Sequence, residues 1–178
     1  MLLLHGFTKD AYTWFDRRRG DGEEPVLPAV LFYRGYDVWM GSIRGTRYSI
    51  THTTLDRDAS NAQESAYFDY DATDVARNDI PAMVELIMRE QEKLKEATGR
   101  PCKKINMIGH SHGAALMLAS MSYTVKSDRY VSQMIGVEPC LLAEPDEYYP
   151  DLGYLEYELL NAAANLFGFN SIFGPDWD

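Results

Sequence analysis

The sequence predicts an α/β protein with a mostly parallel sheet and helices on both faces. Short apolar runs of strand length, at residues 2–4, 37–40, 105–108 and 134–137, alternate with segments of helical periodicity. A chain that alternates strand and helix in this way forms a parallel sheet covered by helices. The 178 residues show no internal repeat and no low-complexity tract, so they fit one domain or a piece of one.

The elements follow one another in a simple order. After the first strand, residues 14–33 are expected to form a loop plus a short helix, and after the second strand, residues 50–70 are expected to form a polar loop. From Ala72 the pattern turns helical, with apolar residues on one face at Ile80, Val84, Ile87 and Met88. Pro81 is acceptable in a first turn, and Gly99 with Pro101 ends the helix. The strands at 105–108 and 134–137 flank a second helix.

A glycine-bounded serine lies at the boundary between the third strand and that second helix. Gly109-His110-Ser111-His112-Gly113 has the G-x-S-x-G spacing of a nucleophile elbow, in the strand-turn-helix context that this motif requires. The sharp turn presents the serine hydroxyl, and the glycines remove side chains that would collide. Ser111 is therefore a candidate nucleophile. The alternative interpretation is a turn whose serine only caps the following helix.

The first strand carries a second candidate feature. Its apolar run Leu2-Leu3-Leu4 ends in His5-Gly6-Phe7, and the loop after such a strand donates a backbone N–H to the oxyanion in elbow-type hydrolases. We expect the N–H groups of Phe7 and His112 to form this oxyanion hole. No metal site is predicted.

The general base of such a site is missing from the expected place. The four histidines are His5, His52, His110 and His112, and none follows the elbow, where this kind of hydrolase carries its base. His110 and His112 flank Ser111 and should point away from it, His52 is expected to be a loop or packing histidine, and His5 is expected to have a structural role. Either histidine beside the serine, or His5, remains an open alternative for acid-base work.

The order of these segments resembles the acid lipase family of α/β-hydrolases, which contains gastric and lysosomal lipases. The resemblance rests on the HG strand end, the strand Gly35-Tyr36-Asp37-Val38-Trp39 with its RG-x-x-YS turn at residues 44–49, the DIPAM helix start at 79–83, and GHSxG. It extends from Leu2 to about Pro175. His112 stands where the family usually has Gln, and Glu138 stands where a small residue is usual.

The resemblance implies the central part of an α/β-hydrolase fold, incomplete at both ends. Residues 1–145 would be a partial core and residues 146–178, rich in aromatic side chains, the start of a cap. The family places its catalytic acid and base beyond this sequence; Glu138 follows a strand where some lipases carry their acid, but a solvated carboxylate is the favoured interpretation.

The resemblance also implies a function and a compartment. The implied function is hydrolysis of lipid or other hydrophobic esters through an acyl-serine, without a cofactor. Because no histidine follows the elbow, we expect a second chain to supply the histidine. The alternative is a catalytically inactive structural or interaction subunit, and little turnover is expected of the isolated chain. Family members are lysosomal or secreted, although no signal peptide is expected here because Met1 is almost inside the first strand.

Composition narrows the possible partners. The formal net charge of -10 argues against nucleic acid and anionic membrane surfaces. No apolar run approaches the roughly 20 residues of a membrane span. Cys102 and Cys140 are expected to be buried free thiols, since two cysteines with no CxxC spacing form no metal cluster.

Another protein chain is the expected partner. By resemblance the four strands would be neighbours in the sheet, and the strands at 37–40 and 134–137 would be its apolar edges. Unprotected edges pair readily with other chains. We therefore expect a second polypeptide to complete the sheet, and the chain not to exist as a free monomer.

Overall fold

The computed structural model describes residues 1–15, 25–57, 61–123 and 129–139, apart from the side chains of residues 61–63. The strands are β1 (Leu2–Leu4), β2 (Trp39–Gly41), β3 (Ile105–His110) and β4 (Val131–Val137). The helices are α1 (Leu27–Tyr33), α2 (Asn61–Tyr67), α3 (Ala72–Asp74), α4 (Ile80–Thr98) and α5 (His112–Tyr123), and a 3₁₀ helix spans Ala11–Phe15.

The strands form one parallel sheet in the order β2-β1-β3-β4, which confirms the predicted fold class. Leu4 at the end of β1 pairs with Gly41 on one side and with Gly109 on the other. His110 at the end of β3 pairs with Val137 at the end of β4. The carboxyl ends of all the strands therefore meet at one edge, which is where open parallel sheets bind their ligands.

The hydrophobic core lies between one face of the sheet and the long helices. Leu2, Leu4 and Met107 contribute from the strands, while Ile80 and Val84 contribute from α4. Leu3 is also completely buried, although strand geometry turns it to the opposite face. Both faces of β1 are thus covered, as a central strand of a parallel sheet requires.

The helical segment that follows residue 71 begins and ends at the residues that the sequence predicts. Asp71 caps α3 by accepting hydrogen bonds from the N–H groups of Thr73 and Asp74, at 2.7 and 3.0 Å. A π-helical turn, Val75–Asp79, connects α3 to α4, and Gly99 ends α4 in a left-handed conformation with φ of 75°. No helix within the described ranges is both long and apolar enough to cross a membrane.

The expectation of a polar loop throughout residues 50–70 is wrong, because α2 occupies Asn61–Tyr67. Ala, Gln and Glu in this segment are good helix formers, but they lack the apolar periodicity on which the sequence prediction depended. Tyr67 is the residue that anchors this region: it is buried, and its hydroxyl donates a 2.7 Å hydrogen bond to the carbonyl of Ile50.

Smaller corrections concern strand limits and one cysteine. The second strand runs over Trp39–Gly41 rather than 37–40, and β4 begins three residues earlier than predicted, at Val131. Cys102 is a free thiol but only partly buried, because it lies in the connection between α4 and β3. Cys140, the predicted cap at 146–178 and residues 16–24 lie outside the described residues.

Candidate active site

Ser111 lies in a one-residue turn between β3 and α5. Its φ is 51°, a left-handed conformation that a residue other than glycine rarely adopts. Backbone hydrogen bonds hold this conformation: the Ser111 N–H donates to the carbonyl of Val137 at 2.9 Å, and the Ser111 carbonyl accepts from Ala114 at 3.1 Å. The predicted strand, turn and helix are therefore present, and the strain is of the kind that concentrates at functional sites.

Two glycines permit the close packing around this turn. A Cβ atom on Gly109 would lie 2.7 Å from the backbone nitrogen of Ala114. A Cβ atom on Gly113 would collide with the carbonyl of His5 and lie 2.8 Å from the carbonyl of Leu4. These contacts are closer than real Cβ atoms come, so the start of α5 can pack on β1 and β3 only if both residues lack side chains.

The loop after β1 lies directly beside Ser111. A Cβ atom on Gly6 would be 3.2 Å from the Cβ of Ser111 and 3.0 Å from Nδ1 of His110. The next-but-one residue, Thr8, has a φ of 60°, the same left-handed conformation as Ser111. The two sequence motifs, far apart in the chain, thus meet at the carboxyl edge of the sheet.

His5 is the buried anchor of this loop, with only 1% of its surface exposed. Its Nε2 accepts a 3.1 Å hydrogen bond from the N–H of Ile43, and its Nδ1 lies 2.8 Å from the carbonyl oxygen of Gly6. Burial lowers the pKa of His5, because a charged imidazolium would lose its hydration. The expected structural role for His5 agrees with this environment.

Phe7 and His112 face each other across the site. Their ring centroids are 5.5 Å apart in an edge-to-face arrangement with an interplanar angle of 74°. His112 is partly buried, and this burial lowers the pKa of its imidazole. Phe7, in contrast, is 59% exposed. Phe7 lies in the loop after β1 and His112 is the first residue of α5. The structure therefore brings together the two residues whose N–H groups were predicted to form the oxyanion hole.

A histidine–carboxylate pair was missed by the sequence reasoning. His110 Nε2 lies 3.9 Å from a carboxylate oxygen of Glu138, which is itself in a left-handed conformation with φ of 47°. Glu138 is exposed, as expected of a solvated strand-end carboxylate, yet it does face an imidazole. The signal was available: parallel neighbours β3 and β4 end at the same edge, so the residues at their ends must be close.

A second missed cluster supports the loop after β2. The Arg44 side chain pairs with Asp79 through Nε at 2.7 Å, and the Arg44 N–H donates to the same carboxylate at 3.1 Å. The Tyr70 hydroxyl donates to the Arg44 carbonyl at 3.0 Å. Arg44 begins the RG turn and Asp79 begins the DIPAM segment, so the sequence motifs contain both residues. The sequence did not show that the two residues are in contact.

The remaining histidine lies in a different local structure. His52 accepts hydrogen bonds through Nδ1 from the N–H groups of Thr54 and Leu55, at 3.1 and 2.9 Å, and its ring lies edge-on to Tyr67. This is the loop and packing role that the sequence suggested. Among residues the structure describes, no group of three His, Cys, Asp or Glu could hold a metal ion.

Comparison with known proteins agrees with the geometry. The sequence model of the α/β-hydrolase fold matches residues 1–164, which is most of the chain. The chain belongs to the α/β-hydrolase fold family. Because its sheet has fewer strands than the complete fold, the described part of this α/β-hydrolase is incomplete, as the resemblance implied.

Several lipases are similar to this α/β-hydrolase in sequence. A probable lipase of Schizosaccharomyces pombe is 33% identical over 135 residues, which is 76% of this chain and 27% of the relative. Human lipase member M is 32% identical over 139 residues, or 78% of this chain and 29% of the relative. A tear acid lipase-like protein of Mesocricetus auratus is 31% identical over 126 residues, covering 71% of this chain and 27% of the relative. The chain thus spans less than a third of the length of each of these relatives. The similarity is to acid lipases, as the sequence motifs indicated.

Proposed function

We propose that this α/β-hydrolase belongs to a lipase-like serine ester hydrolase in which Ser111 is the nucleophile. The observation that carries the proposal is the left-handed turn at Ser111, between β3 and α5, with the Gly6 loop packed against it. The likeness to lipases supports a lipid or other hydrophobic ester as substrate. The exposed Phe7 ring beside the turn would offer such a substrate an apolar contact.

In the proposed reaction, Ser111 Oγ attacks the ester carbonyl carbon while a histidine takes its proton. The carbonyl oxygen becomes an oxyanion, which the N–H groups of Phe7 and His112 would hold. The His112 N–H belongs to the first turn of α5, where N–H groups have no acceptor within the helix. The tetrahedral intermediate then expels the alcohol, which receives the proton from the histidine, and water releases the acid from the acyl-serine.

We propose that a second chain supplies the histidine that takes the proton from Ser111. His5 uses both ring nitrogens in buried contacts, and His52 binds the loop at Thr54. His110 faces Glu138, and His112 packs on Phe7. A histidine from the second chain would provide the general base for Ser111 that these four histidines, in their present contacts, do not provide.

The test is covalent labelling of Ser111 by a fluorophosphonate probe in the full protein with its natural partners. We expect labelling to map to Ser111 by mass spectrometry and to disappear in Ser111→Ala, because removing a triad member costs about three or more orders of magnitude in rate. Ser122→Ala is the matched control, since this exposed serine lies near the end of α5, the helix that follows Ser111, and its hydroxyl donates a hydrogen bond to the Leu118 carbonyl. Labelling that survives Ser111→Ala would refute the proposal.

An inactive interaction subunit is the second candidate, and the sheet edges favour it. In the described part of the chain, β2 and β4 each have a neighbouring strand on one side only. Ile135 and Val137 of β4 are 52% and 41% exposed. Apolar edge strands of this kind pair with other strands unless they are protected. Absence of labelling in the native assembly, together with a stable partner, would favour this second function.

Both candidates predict that the 178-residue chain is not a free monomer. We expect size-exclusion chromatography with light scattering to show a complex or self-association, because pairing would cover the open edges of β2 and β4. Hydrogen exchange should then slow at the outer amides of these strands in the native complex. A stable, monodisperse species at the monomer mass of 20.3 kDa would show that the edges need no partner.

A further inference from the structure

We propose that His5 is a positioning residue that aims the Phe7 N–H by holding the carbonyl of Gly6. This inference rests on the proposed function, because it concerns the oxyanion donor of that site. It begins from the tautomer of His5. The N–H of Ile43 can only donate, so Nε2 must accept and carries no proton. In the neutral ring the proton is then on Nδ1, which donates to the Gly6 carbonyl oxygen at 2.8 Å.

The Gly6 carbonyl and the Phe7 N–H belong to the same peptide group. A peptide group is planar, and the described residues contain no cis peptide bond, so the two groups point in opposite directions. Rotation of this plane would swing the Phe7 N–H away from the position where an oxyanion develops. An anchor on the Gly6 oxygen therefore sets the direction of the Phe7 N–H.

The residue at this position cannot hold the plane by itself. A Cβ atom at position 6 would be 3.0 Å from Nδ1 of His110 and 3.2 Å from the Cβ of Ser111, so glycine fits there best. Glycine has the widest choice of backbone conformations of any residue. The Lys9 N–H also approaches the Gly6 oxygen, but at a long 3.4 Å. The shorter bond from buried His5 is the stronger restraint.

His5 is itself held by the loop that follows β2. Ile43, whose N–H binds His5, is buried and directly precedes Arg44, which Asp79 binds through side chain and backbone. The Arg44–Asp79 pair thus fixes Ile43, Ile43 fixes the tautomer of His5, and His5 fixes the peptide that carries the Phe7 N–H. We infer that the RG turn acts on the site through this route.

Two amide variants separate the two hydrogen bonds of His5. His5→Asn places an amide nitrogen near the Nδ1 position, where it can donate to Gly6, whereas His5→Gln places an oxygen near Nε2, where it can accept from Ile43. In the full protein, we expect fluorophosphonate labelling of Ser111 to stay within about threefold of wild type in His5→Asn. In His5→Gln it should fall at least about tenfold, because a misdirected oxyanion donor loses much of the roughly 100-fold effect of one such donor. Urea midpoints should fall similarly in both.

Nuclear magnetic resonance provides a readout that does not need hydrolysis. The Phe7 amide signal should move in His5→Gln and stay close to its wild-type position in His5→Asn. Equal effects of the two variants on labelling and on the Phe7 amide would overturn the proposal.

If wild-type Ser111 is not labelled, the proposed function fails, while the Phe7 amide signal still decides the role of His5. If His5→Gln does not fold, the ring nitrogens of wild-type His5 decide: a proton on Nε2 would refute the inference.

Protonation gives an independent check of the same geometry. Burial lowers the pKa of His5; the hydrogen bond to the Gly6 carbonyl and the charge of Asp10 oppose this shift, and His112 adds to it. The unfolded chain then binds a proton more readily than the folded chain, so the contribution of His5 to stability is full above the ordinary pKa of about 6.5 and declines as the pH falls below it. Wild-type protein should therefore lose more stability than His5→Asn when the pH is lowered from 7.5 to below about 6. Equal losses would contradict a neutral, doubly bonded His5.

Discussion

Gly113→Ala is expected to lower the free energy of unfolding by about 3 kcal/mol or more, at the upper end of the range for overpacked cores. The added Cβ would collide with the His5 carbonyl oxygen and lie 2.8 Å from that of Leu4. Both are backbone atoms at the end of β1 or directly after it, and β2 and β3 hold β1 on either side. Backbone fixed on two sides cannot move away as a flexible side chain could, so α5 would have to shift.

Urea unfolding followed by circular dichroism is the measurement, with Gly99→Ala as the control. Gly99 has φ of 75°, and a Cβ added there would have no atom within 4 Å, so its replacement incurs only the left-handed backbone strain of about 1–2 kcal/mol. Gly113 lies in α5 without a positive φ, so its replacement carries no such strain, and any loss of stability beyond that of Gly99→Ala is a lower bound on the steric contact. Equal losses of stability would show that α5 does not pack on β1 as closely as the structure indicates.

Arg44→Met is expected to lower the free energy of unfolding by about 2–3 kcal/mol. The Asp79 side chain is only 10% exposed, so removing the guanidinium leaves a largely buried carboxylate without its main partner. A fully buried pair would cost about 3–5 kcal/mol to break, and an exposed pair about 0–1 kcal/mol. The Arg44 side chain is 37% exposed, which places the expected cost between these limits.

A double-mutant cycle with Asp79→Asn measures the coupling directly. The matched control is Glu90→Gln, which breaks the surface pair between Glu90 and Lys93 on α4 and should change stability by at most about 0.5 kcal/mol. If the Arg44 and Asp79 variants prove additive, the two side chains do not stabilise the protein as a pair. The link from the RG turn to Ile43 and His5 would then lose its support.

Local patterns account for the parts of the fold that were predictable. The helical segment from Ala72 to Gly99 was predictable because its apolar face, the proline near the start of α4 and the glycine that ends it all lie within one stretch of sequence. The turn at Ser111 was visible for the same reason, since an apolar strand, two glycines and a helix stand side by side in the chain. Helix α2 was missed because its residues favour a helix without showing an apolar face.

Contacts between distant residues were beyond reach of the sequence. The bond from Ile43 to His5 spans 38 positions, and the bonds from Arg44 to Asp79 span 35. Which side chains meet at such distances depends on strand order and register. Neither is encoded by the residues of one strand alone, because a parallel strand can pair with several others of similar apolar character.

By itself, the sequence determined the parallel α/β class, the long capped helix and a constrained serine turn, because each depends on residues within a few positions of one another. The tertiary structure decided the strand order and register, with β1 between β2 and β3, and thereby how the loop after β1, which was predicted to meet Ser111, packs against it. It also decided the pairing of His110 with Glu138 across neighbouring strand ends. These arrangements depend on packing the sheet as a whole, since only pairing in register brings the strand ends to one edge.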